Sequence, residues 1–376
     1  VWAEADPEYR ARPKSGNAFD GYVVSASEAV QAAPKEADRV SFTQGAKQTG
    51  LRRISRSLDT LEKASRLQCD FQYTVQDVFK PDTNSKGWRL LGRGMVWKIE
   101  EAVEAEDFGS AANWVVTATK FGLDLTRGDS QTATLGFSIC NEARRAISPH
   151  YQRLSGQQLS NLYLRLAKIL GNYQGLKKTV GNEEKRMLLG VQFIQDCHRR
   201  KSYDVLLTQL GKGAKPAISY LKGLDESKRV PYFANFSDGT KGFVDHWQSQ
   251  IDKPLPERAQ WLESAGSGPW KRFGQAFWGT VEPMASIADS CIAHTRILAL
   301  SIWATARSKA YGAPSTTLKG LSPSLTLDPY SGRSLIYVVS GPDFKLYSVG
   351  PDGNDDLGES DESGQTPDVI LESSNL

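Results

Sequence analysis

At 376 residues with 39% apolar side chains, the chain is long enough to bury one large core or two smaller ones. Its 46 basic and 43 acidic residues leave a net charge of +3 and no basic stripe, which argues against a nucleic-acid partner. No run approaches the ~18 to 20 consecutive apolar residues that a membrane-spanning helix needs.

The chain opens Val-Trp-Ala-Glu-Ala-Asp without an initiator Met, so a removed signal peptide or membrane anchor is expected ahead of it. Residues 1–16 mix charge with Pro and Gly and are expected to form an extended arm. From Asn17 the apolar spacing is mostly three and four, as in Leu159, Leu162, Leu166 and Leu170, the pattern of amphipathic helices packed on one another. Residues 17–285 therefore read as an irregular multi-helix domain. Ser155, Asn182 and Asp129 are suited to start helices, since their side chains can accept from free amides of a first turn. Gly171, Gly181, Gly211-Lys212-Gly213, Pro231, Pro254 and Pro256 are the expected breaks. The tryptophans and glycines do not recur at a fixed period, which argues against a repeat array. The basic runs Arg52-Arg53 and His198-Arg199-Arg200-Lys201 read as solvated faces.

Cys69, Cys140, Cys197 and Cys291 form no CxxC pair, which excludes the common zinc and thioredoxin-like patterns. An even count allows up to two disulfides in an exported chain, with three possible connectivities. Cys140 and Cys291 also fall within apolar helical patterns, where a free thiol packs as a small hydrophobe. Farther on, Trp270, Phe273 and Phe277 share one helical face. They read either as a packed hinge or as an aromatic surface for a partner.

From Ser286 the text changes. Ile287, Cys291, Leu298 and Ile302 make one helical stripe that should end at Tyr311-Gly312-Ala313-Pro314. Residues 335–339 and 344–349 are rich in β-branched and aromatic side chains, with Ser340-Gly341-Pro342-Asp343 as a four-residue turn, so an antiparallel hairpin is expected. Residues 369–371 are a third short strand. The stretch between is dense in carboxylates, glycines and hydroxyls. Calcium takes six to eight oxygen ligands in flexible geometry, and Asp352, Asp355, Asp356 and Asp368 can supply them. A solvated acidic loop without metal fits the spacing equally well.

The order of these segments resembles the globular part of the major pseudopilins of type II secretion systems. The resemblance rests on Asp328-Pro329-Tyr330-Ser331-Gly332, Leu335-x-Tyr337, Phe344-x-Leu346-Tyr347-Ser348-Val349-Gly350-x-Asp352-Gly353 and Asp368-Val369-Ile370. It covers about a quarter of the chain, residues 286–376, and implies a calcium role for Asp352 or Asp355 and for Asp368. Asp356 and Asp361 carry over more weakly, because the loop is longer and more acidic than the family's. A pseudopilin begins with a hydrophobic filament helix, which this chain does not place first, so it is not expected to polymerise as one. The arrangement is similar instead to long bacterial envelope proteins in which a helical domain precedes such a tail. Asn17-Ala18-x-x-x-Tyr22, Cys69-Asp70-Phe71 and Pro283 fit that resemblance, which implies no activity.

His150, His198, His246 and His294 are isolated, and no HExxH, Walker loop, Rossmann fingerprint or Gly-x-Ser-x-Gly elbow occurs. Glu101, Glu104, Glu106 and Asp107 are the best carboxylates for acid–base work, at a spacing ordinary for an exposed helix. The expectation is a mainly α protein with a small α+β tail. It is expected to act without catalysis, outside the cytoplasm in the periplasm or at the cell surface, on a protein partner in the envelope and linked to a secretion or pilus-type assembly. The alternative is an extracytoplasmic hydrolase of glycan or peptide with its site among the helices.

Overall fold

The computed structural model describes residues 16–39, 41–72, 84–255, 257–258, 281–359 and 368–371. The chain is mainly helical, with a small three-stranded antiparallel sheet near its C-terminus. The helices are α1 (Ala18–Ala32), α2 (Pro34–Asp38), α3 (Gln44–Ser65), α4 (Ser85–Glu104), α5 (Phe108–Leu125), α6 (Ser130–Ile147) and α7 (Gly156–Gly171). They continue as α8 (Lys177–Arg199), α9 (Tyr203–Leu210), α10 (Lys215–Lys222), α11 (Glu226–Gln250), α12 (Val281–Tyr311) and the single turn α13 (Pro323–Thr326). Among the described residues, no helix is long and apolar enough to cross a membrane.

Helix starts follow local chemistry. Asn17 accepts from the Phe19 amide at the head of α1, and Asp129 from the Thr132 amide, 2.8 Å, at the head of α6. Ser155 and Gln158 form a reciprocal capping box on α7: the Gln158 amide donates to the Ser155 hydroxyl at 3.3 Å, and the Ser155 amide to Gln158 Oε1 at 2.8 Å. Ser155→Ala is expected to cost about 1 kcal/mol in a urea titration, with the α7 stripe of Leu159, Leu162, Leu166 and Leu170 still buried.

Two expected breaks, Gly181 and Pro231, and one expected helix start, Asn182, fall inside helices. Gly181 and Asn182 lie inside α8, which starts at Lys177. Asn182 is buried and donates through Nδ2 to the carbonyls of Arg127 and Gly128, at 2.8 and 3.0 Å. Its two neighbours on the same face help: Thr179 donates to the Thr126 carbonyl, and Glu183 Oε1 accepts from the Ser130 amide at 2.7 Å. The residue that reads as a cap thus satisfies orphan carbonyls at the end of α5 instead. Pro231 lies within α11, near its N-terminus, where Asp225 caps the helix and Phe233 packs into a core, so tertiary contact overrides the proline penalty.

One hydrophobic core runs from Ala18 to Val369 and includes α1, α3 to α7, α12 and the sheet. The helix α12 packs against α6 and α7 and also touches β2 (Asp343–Ser348) and β3 (Val369–Ile370). The stripe read from the sequence faces inward, with Cys291 and Ile302 fully buried. At the crossing of α5 and α6, Gly122 and Gly136 bring the two backbones together. Between α1, α4 and α5 lies a buried polar junction: the Tyr22 hydroxyl donates to Asp124 at 2.8 Å, and Trp88 Nε1 to the Tyr22 carbonyl at 3.1 Å. A separate satellite core holds Val191, Ile194, Cys197, Leu206, Ile218, Leu221 and Phe233 from α8 to α11.

In the sheet, β1 (Ile336–Ser340) pairs with β2, and β2 with β3, all antiparallel. Ser340 pairs with Asp343, so the turn is the two residues Gly341-Pro342 and not four. Gly341 has φ +61°, the glycine-first arrangement that matches strand twist in a tight hairpin.

Candidate cation site in the C-terminal loop

The loop after β2 is built by residues in left-handed conformation: Gly350, Gly353 and Gly358, and also Leu357 at φ +60°. A non-glycine residue there stores strain that the surroundings must offset. The Leu357 carbonyl is held by Lys345 Nζ, and a Cβ at Gly358 would meet the Lys345 and Tyr347 side chains at 2.6 and 2.9 Å. Period two along β2 points Lys345 and Tyr347 to the same face, and that face carries the loop.

Asp355 is exposed, and its Oδ1 accepts from the Tyr347 hydroxyl and the Leu357 amide, both at 3.0 Å. Asp368, at the entrance to β3, is only 3% exposed. Its Oδ2 accepts from the Gly358 amide at 2.6 Å, while its Oδ1 is fully buried and has no hydrogen-bond partner among the described residues. Burial raises the Asp368 pKa, and the charges of Asp356 and Asp355 raise it further, partly offset by the backbone amides of Gly358 and Asp356. Burial, then the bond to Asp355, push the Tyr347 hydroxyl up to about 12. Asp355, Asp356, Asp368 and Tyr347 therefore act on one another. Asp352 sits in its own Asx turn, accepting from the Asn354 amide and side-chain nitrogen, each at 3.1 Å.

Among the described residues, no three histidine, cysteine or carboxylate side chains come together closely enough to enclose a metal ion. The donor chemistry still fits a hard cation: carboxylates and a glycine-bent backbone, with one buried carboxylate oxygen that has no donor among the described residues. Asp361 and the aromatic trio Trp270, Phe273 and Phe277 lie outside the described residues.

The Asp328-Pro329-Tyr330-Ser331-Gly332 motif is a structural knot. Asp328 is buried and accepts from the Tyr330 amide at 3.0 Å, the Ser331 hydroxyl at 2.9 Å and the Ser348 hydroxyl at 2.7 Å, which ties the turn to β2. Arg296 of α12 donates to the carbonyls of Ser324 and Leu327 and anchors α13 above it. Sequence reasoning missed Tyr347, Lys345 and Gly358 as loop partners. The available signal was the two-residue period of β2, which puts Lys345 and Tyr347 on one face.

Three of the four carboxylates best placed in sequence for acid–base work have structural partners. Glu101 pairs with Lys98 at 2.7 Å, Glu106 with Arg153 at 2.5 Å, and Asp107 caps α5 through the Ser110 amide at 3.0 Å. His198 Nδ1 lies 3.0 Å from the Tyr203 hydroxyl in the satellite core, and His294 Nδ1 lies 2.7 Å from the Ser290 carbonyl. Comparison of the chain with family models, with curated proteins and with solved structures gives no match.

Proposed function

We propose that the chain is a non-catalytic structural or binding protein of the cell envelope whose C-terminal acidic loop is closed by calcium. Its helical part serves a protein partner, in a secretion or pilus-type assembly, and the tail is a pseudopilin-like unit. The observation that carries this reading is the buried Oδ1 of Asp368, without a donor among the described residues and set in the field of Asp355 and Asp356. A buried carboxylate oxygen without a donor is costly, and a cation is the ligand that relieves both its desolvation and the repulsion from neighbouring carboxylates. The order of a helix against a hairpin, an acidic loop and a short closing strand is in keeping with the pseudopilin resemblance.

Calcium suits the site better than magnesium, because magnesium demands near-ideal octahedral geometry whereas calcium accepts irregular sets of carboxylate and carbonyl oxygens. Affinity in the range of extracellular calcium modules, roughly 0.1 to 1 mM, matches an extracytoplasmic setting. Isothermal titration of the purified chain is expected to show calcium binding without comparable magnesium binding, and Asp368→Asn is expected to abolish it. Without cation, Asp368→Asn should leave stability unchanged or raised, since it removes a buried charge among like charges. A variant that loses stability equally with and without calcium would give Asp368 a packing role only. Equal calcium binding by Asp368→Asn would remove the site from this loop.

A further inference from the structure

All four cysteines are buried thiols in the structure. Two of them meet. Cys140 on α6 and Cys291 on α12 lie beside one another where the two helices pack, 1% and 0% exposed. The Cys291 sulfur also reaches the Phe137 carbonyl at 3.7 Å, and Phe137 lies one turn before Cys140 on the same helix. The Cys140 sulfur is held from the other side by the Thr119 carbonyl of α5 at 3.5 Å. By contrast, Cys69 belongs to the surroundings of Tyr22 and Asp124, and Cys197 to the satellite core. Of the pairings that four cysteines allow, the packing therefore singles out one.

We propose that Cys140 and Cys291 form a disulfide that ties α6 to α12 when the protein folds under oxidising conditions, leaving Cys69 and Cys197 as thiols. The proposal concerns the helical core and is independent of the calcium reading. Forming the bond breaks two S–H bonds and releases two protons and two electrons. The electrons pass by thiol–disulfide exchange to a second disulfide, that of oxidised glutathione or of a disulfide oxidoreductase, which leaves as two thiols. Exchange needs a thiolate and an approach for the oxidant, and the closed core offers neither: the neighbouring Cys291 thiol and then burial hold Cys140 well above the usual thiol range. Oxidation therefore belongs to the folding chain before α12 docks. Once formed, the bond is shielded from small reductants until α12 lifts away. It joins positions 151 residues apart in sequence, counted from 291 − 140. A link closing so long a segment restricts the unfolded chain strongly.

The test is to refold the full chain in a mixture of reduced and oxidised glutathione, quench with iodoacetamide in guanidinium, and map the peptides by mass spectrometry. The expected product is two hydrogen masses lighter than the fully reduced chain, is alkylated only at Cys69 and Cys197, and carries one bridged peptide pair, Cys140 with Cys291. Cys291→Ala should give three alkylated cysteines and no bridge. Its melting temperature should not respond to reductant during refolding, whereas that of the unaltered chain should fall by several degrees. Four alkylated cysteines in protein that has regained its helical circular dichroism would overturn the proposal. A bridge that includes Cys69 or Cys197 would do the same.

Discussion

Arg258→Met is expected to lower stability by about 3 to 5 kcal/mol near neutral pH, the usual cost of removing one partner from a buried ion pair. Arg258 is 4% exposed and makes a two-pronged contact with Asp289 of α12, with NH1 3.3 Å from Oδ1 and NH2 closer still to Oδ2. It also donates to the Ile251 carbonyl at 3.1 Å, so one guanidinium fastens the segment after α11 to α12. Burial pushes the Asp289 carboxyl up to about 6 although Arg258 pulls it down. Desolvation thus outweighs the pairing.

That imbalance fixes a pH dependence. The folded pKa of Asp289 lies above its unfolded value, so the folded state binds the proton more tightly. Its contribution to stability is complete below about pH 4 and is lost as pH rises through about 6. In Arg258→Met the carboxyl loses its counter-charge and its pKa rises further, so the variant must bury a bare charge at pH 7 or take up a proton. The deficit against the unaltered chain should therefore shrink at about pH 4.5, where both proteins hold a neutral Asp289. Urea titrations at the two pH values measure it. An equal deficit at both would place the role of Arg258 in packing and the Ile251 carbonyl bond.

The second large effect is expected at the crossing of α5 and α6. A Cβ on Gly136 would lie 2.2 Å from the Gly122 carbonyl oxygen and 3.1 Å from Leu125 Cβ. A Cβ on Gly122 would lie 2.4 Å from the Gly136 carbonyl oxygen. These are backbone atoms and cannot rotate aside, so any side chain must separate the two helices. Gly136→Val should cost about 3 kcal/mol or more, at or above the upper end of overpacking effects. Gly136→Ala should also destabilise, although alanine favours a helix by about 1 kcal/mol over glycine. Gly45 in the first turn of α3 has nothing within 4 Å of such a Cβ, and Gly45→Ala is the control, expected to be neutral or stabilising. If Gly136→Ala behaved like Gly45→Ala, the close approach would not exist in solution.

What the sequence made legible is what depends on near neighbours. The α7 leucines lie three and four apart, and all four are buried. Asp129 and Ser155 cap within three residues of themselves, and residues 335–339 and 344–349, rich in β-branched and aromatic side chains, lie in a hairpin whose strands are Ile336–Ser340 and Asp343–Ser348. Features fixed by distant partners were not legible. Asn182 looks like a cap, but its partners lie 54 and 55 residues earlier in the chain. Nothing near Arg258 or Asp289 signals that they meet across 31 residues. The inward stripe of α12 gives its buried face but not the helices α6 and α7 that cover it. In the acidic loop the carboxylates were recognisable by composition. That Asp368 would be buried while Asp355 and Asp356 stay exposed follows from β3 pairing on β2, which composition does not encode.

The most direct measurement of the central claim is a thermal melt of the purified chain in excess EGTA, in millimolar calcium and in millimolar magnesium, with Asp368→Asn run beside it. Calcium at about 10 mM, roughly 10 to 100 times a dissociation constant of about 0.1 to 1 mM, adds about 1.4 to 2.7 kcal/mol, a rise of about two to three degrees for a chain of this size. The account predicts that rise for calcium alone and its disappearance in Asp368→Asn. Identical melting temperatures in EGTA and calcium would contradict it and leave the loop a solvated acidic turn.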